Sequence, residues 1–214
     1  MASAVPRIPT GRWVAWIKST NNGQTMKKIT LGLLGSIVFS LSAFAALEAG
    51  KDAPIFDAKA SLAGEPFDFS LSDALADGTV VVYFYPSAYT QGCNIQAHEF
   101  SVKMDEFKAA GASVIGVSLD NIERLNDFSA DPEYCAGNLA VASDESGDIA
   151  RSYGLDVRDG RDGATDSRGV EIGHGFAERV TFIVSPDGRI VETIGDMSPM
   201  ENVHKSLEVV QAQQ

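Results

Sequence analysis

Cys93 is the residue in this chain best placed to do chemistry. It follows Pro86-Ser87-Ala88-Tyr89-Thr90-Gln91-Gly92, where an apolar run gives way to a helical pattern. At a helix N-terminus a thiol meets free backbone N–H groups and the positive end of the helix dipole, which favour the thiolate. The thiolate is the form that attacks peroxides and disulfides. A second cysteine, Cys135, lies 42 residues further on (135 − 93). Two cysteines in an oxidising compartment ordinarily form one structural bridge. A static disulfide and a pair of reactive thiols therefore both stand open. Of the histidines, His98 sits on the same helical stretch as Cys93, His174 precedes Arg179 by five residues, and His204 lies in a polar part of the last helix. Each has an ordinary reading as a satisfied or solvated side chain, since only geometry separates an acid, a base or a ligand from a bystander.

The elements that must position Cys93 follow from periodicity. Thr79 to Tyr85 is nearly all apolar, as expected of a strand covered on both faces, and Pro86 ends it. From Cys93 to Ala110 the apolar residues Ala97, Phe100, Met104 and Phe107 recur at helical steps, and Gly111 closes the helix. Ala112 to Leu119 is a second buried strand, which completes a βαβ unit with parallel strands. Helices are expected over 121–129, 148–153 and 200–210, with a short strand over 138–143. Strands over 180–185 and 189–194 are joined by the turn Pro186-Asp187-Gly188. A hairpin around Gly64 is expected within 56–71. The pattern is α/β, a mixed central sheet flanked by helices. The stretch 157–176, rich in Gly, Asp and Arg, has no periodicity and reads as a solvated surface excursion. It does not fit a calcium loop: aligning Gly160 or Gly163 with the invariant glycine puts Leu155 or Arg158 at the first ligand position.

Pro86-x3-Thr90-x2-Cys93, set in Phe84-Tyr85-Pro86 and followed by Glu99-Phe100, resembles the signature of the peroxiredoxins, in particular the bacterioferritin comigratory protein or peroxiredoxin Q class. The similarity runs from about Lys51 to Val210. It implies a thioredoxin-like fold and a thiol peroxidase of hydrogen peroxide and organic hydroperoxides that needs no metal, haem or flavin. By this resemblance Cys93 is the peroxidatic cysteine and Thr90 supplies a hydroxyl to thiolate and substrate. Pro86 shields the pocket from water, and Arg179, opening Arg179-Val180-Thr181-Phe182, holds the peroxide oxygens. Taken alone, Arg179 is a solvated strand-end residue. Many members of the class place a second cysteine five residues after the first, where this chain has His98. Cys135 resembles the alternative resolving cysteine; a one-cysteine mechanism with an inert Cys135 is the other reading. The partners implied are a peroxide and a thioredoxin-like reductant, with the protein a monomer or homodimer.

Met26-Lys27-Lys28, an apolar run from Ile29 to Leu41, and Ser42-Ala43-Phe44-Ala45 have the form of a secretory signal peptide. The run is too short for a spanning helix, which needs about 20 residues. Residues 1–25 hold both tryptophans, Trp13 and Trp16, and suit either a long leader or translation from Met26. The expected organisation is 1–45 removed and 46–214 a single thioredoxin-like domain, exported to a bacterial periplasm without stable membrane association. Cleavage removes five of the 17 basic residues and none of the 29 acids, taking the formal net charge from −12 to −17. So acidic a surface repels phosphate backbones, which excludes nucleic acid as a partner class. Two rival functions share these residues. An exported disulfide oxidoreductase would use Cys-x-x-Cys, but Gln96 stands at the second position. A copper-handling domain would use Cys93 and His98 as soft ligands, with no third ligand nearby in sequence.

Overall fold

A computed structural model describes residues 45–214. The signal-like segment, apart from Ala45, and both tryptophans lie outside the described residues. The chain runs β1 (Asp57–Leu62), β2 (Glu65–Ser70), α1 (Leu71–Asp77), β3 (Thr79–Phe84), α2 (Gln91–Val102), α3 (Met104–Ala109), β4 (Ala112–Ser118) and α4 (Ile122–Ala130). It continues with β5 (Ala140–Ser143), α5 (Asp148–Ser152), β6 (Val157–Arg158), β7 (Phe176–Ala177), β8 (Val180–Val184), β9 (Ile190–Ile194) and α6 (Pro199–Gln211).

Seven strands form one sheet in the order β2-β1-β5-β4-β3-β8-β9. The pairs β3–β4 and β4–β5 are parallel and the others antiparallel, so the sheet is mixed. β3 lies inside it, and its side chains alternate between the faces. Val81 and Tyr83 enter a core with Phe100, Phe107, Leu125 and Val203; Val80, Val82 and Phe84 enter a second with Leu75 and Tyr153. A strand buried on both faces must be apolar throughout, which is why the run 79–84 shows no polar alternation. Among the described residues no helix is long and apolar enough to cross a membrane.

The expected Cys93–Ala110 helix begins earlier, at Gln91, and is interrupted. Lys103 (φ −91°, ψ 5°) separates α2 from α3. Periodicity did not register the break because Phe100, Met104 and Phe107 keep one apolar face across it. The early start places Cys93 third in the helix. α1 was not anticipated: its seven residues are too few for periodicity to stand out, and it is held by burying Leu71 and Leu75.

The expected surface excursion is also different from its reading. Between β6 and β7 the chain makes an isolated bridge between Thr165 and Glu171 and buries Asp166 and Ile172. It returns to the body of the domain because Asp166 finds partners there, which composition alone does not reveal.

Candidate active site

α2 begins at the edge of the core. Thr90 is its N-cap, and the first intrahelical bond runs from Asn94 N–H to Thr90 O at 2.8 Å. The N–H of Cys93, in the first turn, has no partner within the helix. Cys93 is 2% exposed. Arg179 reaches it by strand register. Phe84, last in β3, pairs with Val180, first in antiparallel β8, so Arg179 stands at the sheet end where β3 leaves for Cys93. Its Nη2 donates to Cys93 Sγ at 3.3 Å.

A buried polar chain holds the guanidinium. Arg179 Nη1 donates to Gln96 Oε1, and Gln96 Nε2 donates to Asn202 Oδ1 at 2.9 Å. Asn202 Oδ1 also accepts from Thr181 Oγ1 at 2.6 Å, while its Nδ2 donates to Ile194 O at 3.0 Å. Gln96, Thr181 and Asn202 are all buried. Gly92 leaves room for this arrangement, since a Cβ there would lie 3.1 Å from Arg179 Nη2. Sequence reasoning noted Gln96 only as a missing cysteine and passed over Thr181 and Asn202. The available signals were a polar side chain one helical turn after Cys93 and lone polar residues within an apolar strand and an amphipathic helix.

Thr90 and Pro86 precede Cys93 in the chain, both half-buried on the segment between β3 and α2. The Thr90 hydroxyl donates to Ser87 O at 2.9 Å. With its proton committed there, its oxygen can only accept, which suits a hydroperoxide O–H rather than a thiolate. The loop is pinned by Asp120, a wholly buried carboxylate. Asp120 accepts from Ser87 Oγ at 2.9 Å, Ala88 N–H at 2.7 Å and Ser118 Oγ at 2.8 Å, and pairs with His174 Nε2 at 2.8 Å. Burial, the largest single influence, would raise the Asp120 pKa, but the His174 bond and charge together with the Ala88 N–H and Ser118 hydroxyl outweigh it and lower the value. Burial would lower that of His174, but the Asp120 bond and charge with the Gly175 carbonyl together raise it.

Cys135 lies in the turn after α4, fully buried and, like Cys93, a free thiol. Burial first, then nearby Asp131, pushes its thiol well above the ordinary range. Both cysteines belong, with Tyr83, to the core on one face of the sheet. Between their elements a surface groove of about 410 Å³ is lined by Ile95, His98, Tyr134 and Met200, among others. His98 is exposed and its Nδ1 bonds to Glu133 O at 3.0 Å, facing this turn and not the thiol. His204 pairs with Glu99 at 2.8 Å on the surface. Among the described residues no three His, Cys, Asp or Glu side chains cluster as metal ligands.

Residues 49–193 match the model of the AhpC/TSA family. The chain belongs to the AhpC/TSA family. Peroxiredoxin Bcp of Escherichia coli is 34% identical over 117 residues, 55% of this chain and 68% of that protein. Peroxiredoxin prdx-2 of Caenorhabditis elegans is 32% identical over 168 residues, 76% of each chain. The crystal structure of peroxidoxin BcpB from Mycobacterium tuberculosis superposes with a TM-score of 0.63 at 26% identity, covering 78% of this chain and 99% of that one. The fold is thioredoxin-like, as the resemblance implied, and AhpC/TSA membership makes the chain a thiol peroxidase.

Proposed function

We propose that Cys93 is the peroxidatic thiol of this peroxidase and Cys135 its resolving partner. The Cys93 thiolate attacks the distal oxygen of a hydroperoxide ROOH. The O–O bond breaks, the sulfur keeps one oxygen as sulfenic acid, and the other leaves as ROH after taking up a proton. The Cys135 thiol then attacks the sulfenic sulfur, forming the disulfide and releasing water. A thioredoxin-like dithiol reopens the disulfide by exchange. The observation that carries this reading is the donation from Arg179 Nη2 to Cys93 Sγ at 3.3 Å, on a guanidinium fixed from behind by buried Gln96. A fixed cation at the reacting sulfur stabilises charge as it develops on the peroxide oxygens. In this reading Thr90 and Pro86, on the segment that leads into Cys93, complete the site with Arg179, while Cys135 enters only after its turn opens.

Mass analysis under non-reducing conditions tests the cycle. One equivalent of peroxide converts wild type to a Cys93–Cys135 disulfide, Cys135→Ser to sulfenic or sulfinic acid, and leaves Cys93→Ser unchanged. Wild type that stops at sulfenic acid with Cys135 still alkylatable refutes the resolving role.

The basic, apolar and small-residue segment ending at Ala45 supports export to a periplasm, with mature protein beginning at Ala46. N-terminal sequencing of the exported protein checks this, as does its emission, which lacks tryptophan once Trp13 and Trp16 are removed.

A further inference from the structure

The segment between β6 and β7 grips the loop that carries Cys93. Ser167 donates to Tyr89 O twice, from its N–H at 3.0 Å and its Oγ at 2.7 Å. The Arg168 guanidinium lies over the Tyr89 ring, 3.2 Å from its centroid. Asp166, its carboxylate inaccessible to solvent, anchors the segment by accepting from Arg168 Nη2 at 2.9 Å and Arg124 Nη2 at 2.8 Å. Arg124 Nη2 also donates to Ala88 O at 2.9 Å. Tyr89 itself has a left-handed backbone (φ 61°), an arrangement that a bulky residue keeps only when its surroundings hold it. Its ring also packs edge-on against Tyr134, centroids 5.7 Å apart, and Phe128 completes the trio. Tyr134 is the residue before Cys135. One aromatic ring therefore joins the gripping segment, the Cys93 loop and the Cys135 turn.

We propose that Ser167 and Arg168 are positioning residues that form a strap, and that their hold on Tyr89 sets how readily the Cys135 turn leaves its packed position. The strap's side chains bond to neither sulfur, and Arg179, which does bond to Cys93, is held by Gln96 and not by the strap, so peroxide attack is not the step the strap sets. It acts on the next step, because buried Cys135 must be uncovered to meet the sulfenic acid. That step rests on the reading of Cys135 as resolving thiol; the opening itself does not. A tighter strap prolongs the sulfenic acid, which a second ROOH oxidises to sulfinic acid with release of ROH.

The test compares Arg168→Ala with the parent chain in two arms. In a Cys93→Ser background, alkylation of buried Cys135 reports opening whether or not Cys135 ever resolves. Arg168→Ala, which also removes a partner of Asp166, raises the alkylation rate at least about fivefold, the effect of the cation–aromatic contact alone. Ser167→Ala, which keeps the backbone N–H bond, raises it less. With Cys93 present, quenched-flow mass analysis shows Cys93 oxidised at the parent rate but disulfide formed about fivefold faster. The peroxide dose for half-conversion to sulfinic acid rises in parallel. An unchanged alkylation rate in Arg168→Ala overturns the strap, as does a faster rate matched by a fall in the urea midpoint large enough to explain it. If neither protein forms a disulfide, the resolving role fails and the alkylation arm alone decides the strap.

Discussion

Arg179 points at Cys93 because its other donor is committed to Gln96, which is in turn committed to Asn202. Gln96 and Asn202 are buried, so either keeps its desolvation penalty when unpaired, and the chain is stable only when complete. Arg179→Ala slows oxidation of Cys93 by about 10²–10³-fold, the range for loss of one preorganised donor. Arg179→Lys does not restore it, since an ammonium cannot hold Gln96 and the sulfur with the same planar fork. Gln96→Ala leaves both thiols in place, yet slows the same step by about tenfold and destabilises the fold by about 1–3 kcal/mol through the polar groups it orphans. Gly92→Ala pushes a methyl group to within 3.1 Å of Arg179 Nη2 and slows oxidation without removing any donor. Stopped-flow loss of the Cys93 thiol, with urea denaturation of each variant, checks all four. Thr90 and Pro86 were legible as residues from the motif, but the Thr90 hydrogen bond was not. Its direction depends on where the Ser87 carbonyl turns, a backbone detail no residue type encodes.

At the scale of elements, the β3–α2 junction is held by contacts from three other parts of the chain. Asp120 follows β4, Arg124 lies in α4, and His174 precedes β7. The Asp120–His174 pair ties stability to pH. His174 has a raised pKa when folded, so its contribution is full below its ordinary value of 6.5 and is lost as pH rises through the raised one. Asp120 has a lowered pKa when folded, so its contribution is full above its ordinary value of 3.8 and is lost as pH falls through the lowered one. Both are complete only between 3.8 and 6.5. His174→Gln therefore loses most melting temperature relative to wild type in that window, and the gap narrows on either side. Arg124, Asp166 and Tyr85 also surround the pair and are unchanged by the substitution. Melting curves from pH 3 to pH 9 check the shape; a gap that is flat with pH refutes it. α6 carries a capping box, with Ser198 Oγ accepting from Glu201 N–H while Glu201 reaches back to the Ser198 N–H. Ser198→Ala costs about 1 kcal/mol in urea denaturation.

Over the whole molecule, the residues just past the expected cleavage point are part of the packed domain. Leu47 N–H donates to Tyr153 O at 3.0 Å and Leu47 O accepts from Thr193 Oγ1 at 2.6 Å. Cleavage after Ala45 keeps both bonds, whereas trimming beyond Leu47 removes them and lowers the melting temperature, which a truncation series measures. By itself the sequence determined the βαβ unit, the late hairpin and the place of Cys93 at a strand-to-helix junction. These rest on local periodicity, on proline and glycine at turns, and on a motif confined to eight residues. It also put Arg179 at the start of a late strand, but not beside the thiol. That neighbourhood exists because Phe84 pairs with Val180, and strand register is decided only when two segments 96 residues apart (180 − 84) bury their faces together. The buried network behind Arg179, the salt-bridged anchor at Asp166 and the contact of Tyr89 with both Arg168 and Tyr134 belong to the tertiary structure for the same reason. Each joins residues that lack a shared local pattern, and a polar group becomes structural only when burial removes water as its alternative partner.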